Sequence, residues 1–185
     1  MTELASSPQT AEVEGQQLFV QEKYYEAAEQ FTLAQGAYAD EGDELRAAEM
    51  LNNAGVAYRR CRKHKEAAEA LEGAAVLFAR LGDEPREAQV LGNLGGLYSK
   101  MKRYDRAEEC FQSAIGRFQE LDDRARQSET LRAMAIMRFK RGRRSEALAT
   151  YEDALYFLPH PNFLQRVARL LLRIRGLILR FSPTK

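Results

Sequence analysis

Two cysteines, two histidines and five prolines are all that this sequence of 185 residues contains of those types, and each scarcity removes a class of protein. Cys61 and Cys110 stand far apart, so no disulfide framework is implied and a reducing, cytoplasmic setting is expected. His64 and His160 have no nucleophile or paired carboxylate beside them in a recognisable motif. Metal-ligand spacing, a phosphate-binding glycine loop and a nucleophile elbow are all missing, so neither an enzyme nor a cofactor is expected. The opening MTELASSPQT lacks a basic stretch followed by an apolar run, which argues against a secretory signal. A net charge of +1 lacks the strongly basic balance of a nucleic-acid-binding domain, and no nucleic acid is expected as partner.

What the chain does have is period. Ala27, Ala67, Ala107 and Ala147 recur at a step of 40 residues. Gly15, Gly55, Gly95 and Ala135 keep the same step, as do Phe31, Leu71, Phe111 and Tyr151, and Ala34, Ala74, Ala114 and Ala154. Leu18, Tyr58, Tyr98 and Arg138 fall near the ends of predicted first helices, and Tyr38, Phe78, Phe118 and Leu158 near the ends of second helices. The stretch LGNLGGLYSKMKRYDRAEECFQSAIGRF, from Leu91 to Phe118, carries the pattern whole: small residues alternate with large ones where two antiparallel helices must interlock. Regular repetition of this kind selects a repeat array over a single compact core.

Small Gly or Ala in the first helix, Tyr soon after, then Ala, a large residue and Ala at helical steps resembles the tetratricopeptide repeat family. The usual unit is about 34 residues. Here each unit is about six residues longer, which reads as about one further turn on both helices and is similar to the lengthened repeats of spindle-orientation adaptors and kinesin light chains. The resemblance implies an all-α, right-handed α-α superhelical solenoid of four helix pairs, over about residues 9–42, 43–82, 83–122 and 123–161. Residues 1–8 are predicted to form a flexible tail, 162–181 an amphipathic basic capping helix, and 182–185 a second tail.

Local signals place the boundaries. Gly42 and Gly82 read as helix stops, Asp43 and Asp83 as N-caps, and Pro85 fits a first turn because the donor it lacks would be unpaired there. Asp122 and Asp123 open the fourth repeat without a glycine. The prolines of LPHP stop the last repeat helix.

First helices of the family line a concave groove that holds a peptide, and the resemblance puts the chain among protein-interaction adaptors. Following one helical face gives Arg46, Glu49, Asn53, Val56 and Arg60 in repeat two. It gives Arg86, Gln89, Asn93, Gly96 and Lys100 in repeat three, and Arg126, Glu129, Ala133, Ile136 and Lys140 in repeat four. Asn53 and Asn93 occupy the column that holds ligand backbone in the family; Val13 and Ala133 break that column in the outer repeats. Bases on both rims favour an acidic or amphipathic peptide, or else form an ordinary solvated face paired to local acids. Gly92 and Gly96 are predicted to let a ligand approach closely. The clamp for a C-terminal carboxylate is not expected, because Glu12, Gln16, Gln89 and Asn93 do not match it.

The ends differ in sign. Residues 1–41 carry eight acids and one base, and 162–185 carry six bases and no acid. The predicted final helix already has one apolar face, from Phe163 to Phe181. Leu164, Leu172 and Leu179 widen it, and Arg175 interrupts it. Such a helix serves as a cap on repeat four, as an interface for a second copy or a target protein, or as a contact with an anionic membrane surface. Five arginines exclude it as a membrane span.

Overall fold

The computed structural model describes residues 7–168 and 170–172. Regular structure among them is helical throughout: α1 (Pro8–Val20), α2 (Tyr24–Asp40), α3 (Glu44–Arg60), α4 (His64–Leu81), α5 (Glu84–Lys100), α6 (Tyr104–Glu120), α7 (Arg124–Lys140) and α8 (Arg144–Phe157). Further helical turns cover 163–168 and 170–172. The fold class is the all-α solenoid type built of tandem helix pairs. The chain forms two compact units, 1–110 and 111–185, whose boundary falls inside α6.

Every link between helices closes in the same way. Backbone with positive φ occurs at Glu22, Gly42, Arg62, Gly82, Lys102, Asp122 and Gly142, once in every 20 residues. The next residue's amide then reaches back to the carbonyl five positions earlier, as in Lys23 to Leu18 (2.9 Å), Asp43 to Tyr38 (2.9 Å) and Arg143 to Arg138 (3.0 Å). This left-handed closure satisfies carbonyls that a helix end leaves open. Glycine takes the position at little cost. A residue with a Cβ is strained there by about 1 kcal/mol, so Glu22, Arg62, Lys102 and Asp122 are held by the packing on either side.

Helix starts alternate in chemistry. Asp43, Asp83 and Asp123 cap α3, α5 and α7, accepting from the amides of Arg46 (3.0 Å), Arg86 (3.1 Å) and Arg126 (3.0 Å). Lys23, Lys63 and Arg143 stand at the corresponding place before α2, α4 and α8 with no side-chain cap, since neither residue type has an acceptor. Pro8, assigned to the tail from sequence, is instead the first residue of α1 and buried, with Ser7 capping the helix. Proline suits that position because its ring presets φ and its missing donor is not needed. The rest of that expected tail, 1–6, lies outside the described residues.

In the first unit α1 packs on α2, α2 on α3, α3 on α4 and α4 on α5; in the second, α7 packs on α8. The glycine and aromatic columns explain how closely. A Cβ on Gly15 would lie 2.8 Å from the ring of Phe31, and one on Gly55 would lie 2.6 Å from Leu71 Cγ. The alanines at 27, 67, 107 and 147 and at 34, 74, 114 and 154 are buried, as are Tyr38, Phe78 and Phe118. Burying a ring such as Phe78 stabilises the fold by about 2–3 kcal/mol. The last repeat departs from the pattern, with Tyr151 exposed and Leu158 only partly buried. α1 departs at the other end: Thr10, Glu14 and Gln17 are exposed where Met50, Ala54 and Ala57 of α3 are buried.

Candidate functional site

In the first unit α1, α3 and α5 frame an open cavity of about 470 Å³. α1 contributes Gln16, Phe19 and Val20, α3 contributes Asn52, Asn53 and Val56, and α5 contributes Gln89 and Asn93, with Phe31 of α2 beneath. Four of the residues assigned to a groove from sequence, Asn53, Val56, Gln89 and Asn93, thus line one hollow. They meet because 3- and 4-residue steps keep them on one face of consecutive first helices. The amides are joined: Asn93 Nδ2 donates to Asn52 Oδ1 (3.3 Å), and Asn52 Nδ2 approaches Asn53 Oδ1 (3.5 Å). Asn52 was not singled out by sequence reasoning, because its column holds Glu12, Gly92 and Arg132 in the other repeats.

The arginines at the N-terminal rim are held by carboxylates of the chain itself. Arg46 Nη1 lies 3.3 Å from Glu12 Oε1, and the same carboxylate accepts from the Tyr38 hydroxyl (2.7 Å) while Arg46 stands over the Tyr38 ring. Burial, and then the bond to Glu12, push the Tyr38 phenol up to about 12. Arg86 bridges Asp83 (2.6 Å) and Glu49 of α3 (2.8 Å), and its guanidinium is held more firmly charged by Asp83 first and Glu49 after it. In the second unit Arg126 pairs with Asp123 (3.4 Å). These contacts follow the second of the two readings of the rim, local pairing. At the C-terminal ends of the first helices in the first unit, Arg60 is exposed and stands over Tyr24 of α2 at 5.9 Å, and Lys100 is exposed in the last turn of α5; in the second unit Lys140 is exposed in the last turn of α7.

Gly96 does not leave room for a ligand directly. The position a Cβ would take lies 3.2 Å from Arg59 Nη1, so the guanidinium of Arg59 borders that space closely. Arg59 belongs to the column of Phe19, Ser99 and Phe139, and the absence of any trend in that column hid it from sequence reading.

In the second unit the assigned Ile136 is 51% exposed, next to Phe139 at 62%. Glu129 lines a different hollow of about 420 Å³, formed by α7, α8 and the LPHP segment with Gln165. The segment beyond is opened by a reciprocal capping box: Gln165 N donates to Asn162 Oδ1 (2.9 Å), and Asn162 N to Gln165 Oε1 (2.8 Å). Its apolar residues are not covered: Phe163 and Leu164 are 77% and 74% exposed, and Leu170 and Leu171 also stand out. Leu172 is partly buried. Arg175, Leu179, the remainder of the predicted helix and the 182–185 tail lie outside the described residues.

The arrangement defines a class: a repeat protein of tandem helix pairs, with a polar-lined hollow on the first helices of the first unit. The tetratricopeptide repeat model matches residues 46–120 and, overlapping, 86–157, and the chain belongs to that family. The family is generally non-catalytic and binds protein partners. No curated protein matches the chain in sequence. Among solved structures, BtubC (BKLC) from P. vanneervenii superposes with a TM-score of 0.73 at 24% identity, over 96% of this chain and 66% of that one. Aspartyl phosphate phosphatase F from Bacillus subtilis gives a TM-score of 0.74 at 13% identity, over 85% of this chain and 41% of the other. The chain thus spans just under two thirds of the first and two fifths of the second. At these identities the likeness is one of fold. Among the described residues no helix is long and apolar enough to cross a membrane.

Proposed function

We propose that the protein is a non-enzymatic adaptor that holds a peptide or helix of a partner in the hollow between α1, α3 and α5. The observation that carries this reading is the joining of Asn52, Asn53 and Asn93 across two first helices beside Phe19, Val20 and Val56. Amides donate and accept, so they suit a peptide backbone, while the apolar residues take up side chains. The test is selection of a random peptide library on the purified protein, followed by mapping of a selected peptide by amide chemical shifts. Shifts centred on Asn53, Val56 and Asn93, and about tenfold weaker binding by the Asn53→Ala, Asn93→Ala variant, are expected; a loss of one or two hydrogen bonds is of that size. Shifts confined to second helices, or unchanged affinity in the folded variant, would sink it.

A second reading is favoured by the bare face of Phe163, Leu164, Leu170 and Leu171: an assembly factor that acts through its basic C-terminal helix on a second copy or a membrane surface. Loss of self-association or vesicle binding on deleting residues 162–185, with the remainder folded, supports it.

A further inference from the structure

Arg59 is a cation near this hollow to which the described residues offer no carboxylate. It projects from the last turn of α3 to Gly96 of α5. Val56 and Asn93, which line the hollow, lie one turn before Arg59 and Gly96 respectively, so the guanidinium sits at the end of the hollow nearest the C-termini of both helices. The residue is partly buried, its Nε is sealed from solvent, and that atom has no acceptor among the described residues. Among them no carboxylate pairs with it, in contrast to Arg46, Arg86 and Arg126. Burial first, and the neighbouring charge of Arg60 second, weaken its hold on its proton. The partial negative charge at the end of α3 tempers that penalty without supplying a directed acceptor to the guanidinium. Nη1 lies against Gly96, whose missing Cβ gives it space.

We infer that Arg59, seated over Gly96, is an anion subsite of the groove that receives an acidic side chain, glutamate or aspartate, of the bound peptide. This rests on the groove reading above and names a residue that the rim pattern did not. A guanidinium fork matches a carboxylate in shape, and a partly desolvated one binds it more strongly than an exposed one does. A carboxylate arriving here answers a charge already partly removed from water, whereas one arriving at Arg46 or Arg86 must compete with acids in place.

The probe is blocked glutamate, N-acetylglutamic acid N-methylamide, titrated at constant ionic strength into the labelled full chain, with blocked glutamine as its neutral counterpart. The expected result is a saturable shift of the Arg59 Nε–H and Gly96 amide signals in the millimolar range with glutamate, and none with glutamine. Arg59→Gln abolishes the response at Gly96, and Gly96→Ala, which crowds Nη1, weakens it severalfold. An equal response to both compounds, a drift that does not saturate, or a response at Gly96 that survives in Arg59→Gln overturns the assignment. Asn53 and Asn93 are untouched by these variants, so failure here leaves the library test of the groove intact, and failure of the groove leaves this titration readable.

Discussion

At the scale of single residues, contact distances decide which substitutions matter. Gly55→Ala would drive a methyl group to 2.6 Å from Leu71 Cγ, and a destabilisation of about 1–3 kcal/mol is expected in urea melts. Gly116 on α6 meets nothing within 4 Å, so the same replacement there should stabilise by about 0.5–1 kcal/mol through helix propensity and unfolded-state entropy. A shared sign for the two would show that Gly55 is not a close-packing position. Tyr38 gives a pH prediction. Its folded phenol holds its proton to about 12, whereas the unfolded chain gives it up near 10. Its contribution to stability is therefore complete below about pH 10 and is lost as pH rises towards 12. Urea midpoints of Tyr38→Phe should fall less steeply than those of the parent over that interval. Parallel curves would show that folding does not strengthen the hold of the Tyr38 phenol on its proton. The packing columns were legible in the sequence because 40-residue spacing exposes them. The partner of Arg46 was not, since Glu12 lies 34 residues away in the chain and only folding brings them together, whereas Asp83 and Asp123 lie three residues before Arg86 and Arg126.

At the scale of elements, the links carry the information. Gly42 and Gly82, with Asp43 and Asp83, were readable as stop and cap, and the helices end and begin there. The left-handed residues at Glu22, Arg62 and Lys102 were not, because nothing in a glutamate, arginine or lysine announces positive φ. The closure is imposed by helices packed on both sides. Arg62→Gly should therefore stabilise by about 0.5–1 kcal/mol, the relief of left-handed strain less the added freedom of the unfolded chain. A lower melting temperature for that variant would mean that Arg62 makes a compensating contact. Groove residues were legible to the extent that helical steps fix a face. Asn53, Val56, Gln89 and Asn93 do share one hollow, whereas Gly96 faces Arg59 and Glu129 faces the hollow by LPHP.

At the scale of the molecule, the question is what meets the bare residues of the C-terminal segment. An amphipathic pattern told where that helix begins and which face is apolar, but pattern alone does not say whether the face is covered, and Phe163 and Leu164 are not. If a second copy covers them, the molar mass by light scattering should rise over a tenfold range of protein concentration. It should rise less in Phe163→Ser, Leu164→Ser. A mass fixed at one chain, about 21 kDa, at every concentration would remove self-association. It would leave the α1, α3 and α5 hollow as the leading surface.

Links that recur every 20 residues create an ambiguity that links recurring every 40 would not: a first helix and a second helix have nearly the same length and the same exit. A chain folding from such parts has two ways to pair its neighbours, one displaced from the other by half a repeat. The start of each helix labels its parity. Aspartate introduces α3, α5 and α7, while lysine or arginine introduces α2, α4, α6 and α8. Close approaches lock the pairing of α3 with α4 from both sides, since Gly55 of α3 accepts Leu71 and Gly73 of α4 accepts Leu51. The three aspartate caps, worth about 1 kcal/mol each, are bonds to the amide three residues on, so they fix where α3, α5 and α7 begin whichever neighbours those helices meet. The alternation of acid and base along the links thus works as punctuation, marking the start of each first helix in a nearly periodic chain.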